Sequence, residues 1–290
     1  MGSTKKLSRR RIIQGLGVIA ASGISAAAKP RDGTPWAAPR VASSAGRPRV
    51  LALIGDRYHN ADFIRVALGK VFRDLDLSVE YTIACESISA GLLGDYQLFV
   101  CFRDGMVWPK GYLEPNDYEY SHELENAGDW PKETFEPWIT EQQGKAVEDF
   151  VAAGNGFYAL HNSSNIALYS KHFRSVMGGA YIGHPPLRPF KVRVVNKEHP
   201  ITRGVEDFMV NDEQHFVTYD KDPKDIILRS ENVDGLTYEG LGTESFAGWA
   251  YEFGKGRVVF TAAGHTLHSM WNPEYLKIQK NALRWLLKTS

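Results

Sequence analysis

Residues 49–54 (RVLALI) form an unbroken apolar run closed by Gly55, the pattern of a strand buried on both faces. Beyond it the spacing changes. Phe63, Val66, Ala67 and Val71 fall at helical intervals and predict a helix over 60–75, followed by strands at 79–84 and 97–102. Thr140-Glu141-Gln142-Gln143 is a capping-box sequence, in which a threonine and a glutamine three residues on each satisfy a backbone N–H at a helix start. It predicts a helix running to Ala153, stopped by Gly154-Asn155-Gly156 and followed by a strand at 157–160. Strands that alternate with helices predict an α/β fold with a mostly parallel sheet flanked by helices. The second half is richer in strands, at 191–195, 225–229, 246–253 and 257–262, with residues 252–257 as the hairpin turn between the last two. Pro273 opens a closing amphipathic helix that runs to Leu287.

One long aromatic and acidic insertion, residues 106–138, interrupts this rhythm. It holds three tryptophans (Trp108, Trp130, Trp138) beside eight carboxylates and only two lysines. A loop of that length in a compact domain is functional or disordered, and disordered segments are poor in aromatics. Aromatic faces beside acidic acceptors suit a sugar ring, whose C–H face stacks and whose hydroxyls donate. Trp108, Tyr118 and Trp130 are the candidates for ring stacking. Equally open is a lid that packs these aromatics onto its own domain.

Composition then narrows the function classes. Lys+Arg and Asp+Glu number 34 each in 290 residues, so no global field recruits nucleic acid or a membrane surface. Cys85 and Cys101 cannot build a disulfide framework. Both lie in apolar, strand-like runs and read as small buried hydrophobes, and whether they pair stays open. The chain begins with Lys5, Lys6 and Arg9-Arg10-Arg11 before an apolar stretch from Ile12 to Ala28, a secretory signal of twin-arginine type. The expected organisation is therefore a signal peptide at 1–28, a disordered spacer at 29–47 and one domain at 48–290. That places the protein in the periplasm or otherwise outside the cytoplasm, with no transmembrane segment once the signal is cleaved.

Ligands of open α/β sheets bind at the carboxyl ends of the strands. By that rule the histidines are not scattered. His59 follows the first strand, His161 ends the 157–160 strand, and His265 follows the last strand. His184 lies in a Gly/Pro turn, and Asp212-Glu213-Gln214-His215 lies between two strands. Three readings stay open. The first is a divalent metal such as zinc on His59, His161, His184, His215 and His265, although no HExxH or paired CxxC spacing marks it. The second is metal-free acid–base chemistry by His161 and His265 with Glu213 or Asp212. The third is loop capping, which is favoured singly for His122, His172, His199 and His268. Nucleophile chemistry is disfavoured, because Leu160-His161-Asn162-Ser163 offers no cysteine and no GxSxG at the elbow position. No Walker A or GxGxxG sequence is present, so a nucleotide cofactor is not expected.

Several segments together resemble the ThuA-like (trehalose utilisation) family. They are Thr140–Gln143, Gly154-Asn155-Gly156-Phe157-Tyr158-Ala159-Leu160-His161, residues 178–185, His199–Gly204, Asp212-Glu213, residues 249–257 and Gly264-His265. The resemblance covers roughly 48–288. It implies a class I glutamine amidotransferase-like (flavodoxin-like) fold without the glutaminase cysteine, and a link to disaccharides and 3-keto-glycosides. Two departures stand out, Gln214-His215 where the family often has an aromatic pair, and the long insertion. The function expected is an exported protein acting on a carbohydrate by histidine- or metal-assisted proton transfer, lyase or hydrolase chemistry, with Asn162 as a further substrate contact. The alternative is a non-catalytic carbohydrate-binding or interaction protein on the same fold.

Overall fold

The computed structural model describes residues 46–111 and 134–289. The expected signal peptide and nearly all of the spacer, together with Tyr118, His122, Trp130 and most of the insertion, lie outside these residues.

The strands in chain order are β1 (Arg49–Ile54), β2 (Ser78–Thr82), β3 (Leu98–Phe102), β4 (Met106–Val107), β5 (Glu136–Pro137), β6 (Gly156–Leu160), β7 (Tyr181–Gly183), β8 (Arg188–Val194), β9 (Phe208–Asp212), β10 (Phe216–Val217), β11 (Ile226–Glu231), β12 (Glu244–Phe253) and β13 (Gly256–Thr261). Nine of them build one sheet in the order β2-β1-β3-β6-β13-β12-β11-β8-β9. From β2 to β13 the pairing is parallel. From β13 to β9 it is antiparallel. The sheet is thus mixed, and its antiparallel half is the strand-rich second half of the sequence. β1 and β3 are buried along nearly their whole length, as strands covered on both faces must be.

The flanking helices fall into two packed groups. Ala61–Asp74 packs with Leu267–Met270 and Pro273–Leu286, whereas Glu141–Ala152 packs with Ala90–Leu93 and Lys171–Met177. Their starts follow from the residues there. Asn60 accepts N–H bonds from Asp62 and Phe63, the Thr140/Gln143 capping box is formed in both directions, and Pro273 occupies the first turn of the last helix. Cys85 and Cys101 are free and buried. Cys85 opens a 3-10 turn rather than continuing a strand. No described helix is long and apolar enough to cross a membrane.

The register fixes where the chemistry can sit. Ile54 pairs with Phe102, and Leu160 with Thr261, so β1, β3, β6 and β13 end at one edge of the sheet. Because β9 runs antiparallel to β8 and lies four antiparallel steps from β13, its last residue, Asp212, reaches the same edge. Above it stands a small antiparallel ribbon in which Phe216 of β10 pairs with Gly183 of β7, setting His215 across from His184.

Candidate active site

The loops leaving that edge bring histidines from distant parts of the chain onto one carboxylate. Glu213 Oε2 lies 3.2 Å from His265 Nδ1 and 3.5 Å from the Nε2 atoms of His161, His184 and His215. His59 joins through its Nε2, 3.1 Å from His265 Nδ1. All five predicted histidines and Glu213 therefore share one centre.

Tautomers matter here. His161 Nδ1 donates to the Ala262 carbonyl at 2.7 Å, and His184 Nδ1 donates to the Pro185 carbonyl at 2.9 Å. In their neutral forms both rings aim an Nε2 lone pair at a carboxylate oxygen. Two lone pairs facing an anion repel unless something positive lies between them. Burial works to raise the Glu213 pKa, yet the imidazoles of His161, His215 and His265 crowded around it outweigh burial and hold the carboxylate far below its usual range. Burial pushes His215 well below its ordinary value and lowers His59, against the pull of Asp56. His265 goes the other way: burial lowers it, but the Glu213 carboxylate more than compensates.

A second layer of groups orients the first. Asp56 accepts a bond from His59 Nδ1 at 2.9 Å, and Asn162 donates to the same carboxylate. Asp212 calls for a correction to the sequence reading, which made it a catalytic acid or base. Its fully buried carboxylate accepts backbone N–H groups of Glu213 (2.8 Å), His265 (3.0 Å), Gly264 (3.2 Å) and Thr266 (3.4 Å). With both oxygens so occupied, Asp212 fixes the loop that carries His265 and does not reach a substrate. Gly264 is required by closeness, since a Cβ there would sit 2.7 Å from His161 Cβ. His161 itself takes a left-handed φ of 49°, at the strand-to-helix turn where an elbow nucleophile would stand.

The centre opens into a cleft of about 1160 Å³, whose wall includes Trp108, Asn162, Tyr181 and His184. Trp108 lies beneath the Arg57 guanidinium, 4.4 Å from its ring. Tyr181 sets its ring edge against His215 at 5.1 Å, and burial, with Glu213 nearby, raises its phenol. Asp56 and Asp104 were not singled out in the sequence. Asp104 accepts the Met106 N–H through Oδ1, while its buried Oδ2 has no hydrogen-bond partner. Burial, with the Asp56 carboxylate beside it, pushes Asp104 up to about 7. The remaining described histidines stand apart. His199 caps the Pro200–Thr202 turn, His172 pairs with Glu148 at 2.8 Å, and His268 lies in the short helix Leu267–Met270. Trp138 donates to the Asp104 carbonyl and packs into the domain core.

Residues 130–286 match the model of a family described as "ThuA: Trehalose utilisation". Among solved structures, a putative ThuA-like protein from Bacteroides uniformis is 16% identical with a TM-score of 0.56, over 84% of this chain and 94% of its own. One from Parabacteroides merdae is 14% identical with a TM-score of 0.59, over 83% and 90%. A cytoplasmic protein from Salmonella typhimurium is 14% identical with a TM-score of 0.52, over 82% and 99%. No curated protein matches the chain in sequence. The fold is therefore the glutamine amidotransferase-like one, and since the family match spans more than half of the residues, the chain belongs to the ThuA family.

Proposed function

We propose that this protein is an exported enzyme that acts on a carbohydrate, a disaccharide or 3-keto-glycoside, by proton transfer beside a histidine-rich centre that holds a divalent cation. The family's description, trehalose utilisation, supports a sugar as substrate. The arginine-rich start followed by an apolar stretch supports export.

The observation that carries the reading is the convergence of four imidazole nitrogens on one oxygen of Glu213. The donor set fits a cation. His59, His161, His265 and Glu213 offer ligand atoms within 4.8 Å of one another. His161 Nε2 is buried without a hydrogen-bond partner. His59 and His161 each give their other ring nitrogen to an oxygen acceptor, as metal-binding histidines do. When bound, such a cation supplies a Lewis acid for a carbonyl or hydroxyl oxygen.

The chain's own residues do the rest. Trp108, pinned by Arg57, presents a face on which a sugar ring can stack. Asn162 and the groups around it offer hydrogen bonds to hydroxyls. Asp104 holds a proton at its unpartnered Oδ2 near neutral pH, the range in which one carboxyl serves as both base and acid. In a 3-keto-glycoside the C–H beside the carbonyl is acidic. One group of this kind can take that proton and return it to the departing glycosidic oxygen, which gives β-elimination.

The test is to incubate the metal-stripped protein, with and without added Zn²⁺ or Mn²⁺, with 3-keto-disaccharides and their parent sugars. Cation-dependent cleavage is expected, reduced on the order of 10²-fold or more by Asp104→Asn and abolished by His161→Ala. Binding without turnover, untouched by His161→Ala, would assign the protein instead to the carbohydrate-binding modules.

A further inference from the structure

His184 and His215 are not used by the first cation, yet both face Glu213. Their geometry differs from that of the first group in a way that separates them. Metal–nitrogen bonds to imidazole are about 2.0–2.1 Å, so two rings on one tetrahedral ion have centroids roughly 5 Å apart. His59 lies 4.9 Å from both His161 and His265, and His161 lies 5.8 Å from His265. These three spacings suit one shared ion. His161 and His215 do not meet that condition. Their rings are stacked, 3.9 Å between centroids with an angle of 23° between planes. An imidazole binds a metal in its own plane, along the nitrogen lone pair, and two stacked rings cannot both do so with one ion.

His184 supplies the missing partner for His215. Their planes are also nearly parallel, at 21°, but their centroids are 5.3 Å apart, too far for face-to-face contact and the spacing of two rings on a common ion, and the β7–β10 ribbon holds them opposite each other. His184 Nδ1 is fixed as a donor by the Pro185 carbonyl, which leaves Nε2 as the ligand atom. Together with Glu213 they form a second group of ligand atoms within 4.8 Å of one another. Ions lying in the His161 and His215 ring planes would be separated by about the stacking distance. That matches the roughly 3.5–4 Å found between the ions of two-metal sites.

We propose that the centre is binuclear, with one divalent cation on His59, His161 and His265, a second on His184 and His215, and Glu213 bridging the two. This rests on the cation reading given above. His184 is 30% exposed at the cleft wall, so the second position faces the substrate side.

The test uses the full protein, freed of any histidine tag and stripped of metal, titrated with Zn²⁺ or Mn²⁺ and measured by calorimetry and elemental analysis. Two equivalents per chain are expected, with a Mn²⁺ electron paramagnetic resonance spectrum showing exchange coupling rather than isolated ions. His184→Ala, at a partly exposed position, is expected to bind one equivalent and to lose the coupling, while its metal-free form unfolds at the same temperature as the metal-free wild type. A wild-type stoichiometry of one, unaltered by His184→Ala, would overturn the second position and leave the first intact. No bound metal in the wild type would overturn both.

Discussion

Asp104 is a carboxyl group with little around it to stabilise a charge. It is 3% exposed, lies beside Asp56, and has one oxygen without a hydrogen-bond partner. Its pKa, raised from an ordinary 3.8 to about 7, means that the folded state holds a proton the unfolded state has lost. The stability this contributes is complete below pH 3.8 and is lost as pH rises through 7, falling by about 1.4 kcal/mol for each pH step between the two. Asp104→Asn removes the ionisation, so the variant's melting temperature should gain on the wild type as pH rises from 3.8 to about 7. Parallel melting curves over that range would refute the assignment. Asp212 tests a different property. Asp212→Ala leaves four backbone N–H groups without their acceptor, each costing about 1–3 kcal/mol where it stays buried. We expect a loss of several kcal/mol in chemical denaturation and faster hydrogen exchange at residues 264–266, while Asp212→Asn keeps part of both. The histidines are legible in the sequence because each follows a strand or a turn, and strand ends mark where an open sheet does chemistry. Asp56 and Asp104 are not, since what perturbs Asp104 is burial in the folded domain and, after it, a carboxylate 48 positions away that the β1–β3 pairing brings beside it.

Elements with strong local signals are legible to within a residue or two. The capping box at Thr140 places the start of Glu141–Ala152, and the apolar runs place β1 and β3. The cap can be weighed directly. Thr140→Ala removes the acceptor for the Gln143 N–H, and is expected to cost about 0.5–2 kcal/mol with no change in cation binding, because Glu141–Ala152 carries no residue of the centre. A loss of metal affinity in that variant would show that the helix is coupled to the site. Short elements escape notice for physical reasons. β9 alternates buried Phe208 and Val210 with exposed Met209, but a solvent-facing methionine hides the period of two. β7 and β10, with three and two residues, are too short for any periodicity. Their pairing sets His184 against His215, so the second half of the proposed metal centre is visible in the sequence only as two unrelated histidines.

At the scale of the whole molecule, the sheet's change from parallel to antiparallel at β13 explains why one edge collects so many loops. Parallel strands β1, β3, β6 and β13 all end there, and an even number of antiparallel steps brings the end of β9 back to it. The ligands therefore come from positions 59 to 265, and no such set exists in the unfolded chain. A cation that binds only the folded state must stabilise it by mass action, by about 2.7 kcal/mol at a free concentration 100 times its Kd. For a domain of this size that corresponds to roughly 5–10 °C in Tm. Adding Zn²⁺ to the metal-free protein is expected to raise Tm by that order and to protect the backbone amides of residues 55–60, 161–168 and 262–266 together, since one bound ion pins all three loops. His161→Ala should abolish both effects. Protection confined to one loop would mean that the histidines do not act as a single centre, and an unchanged Tm would mean that the positive charge their lone pairs require is supplied by protons alone.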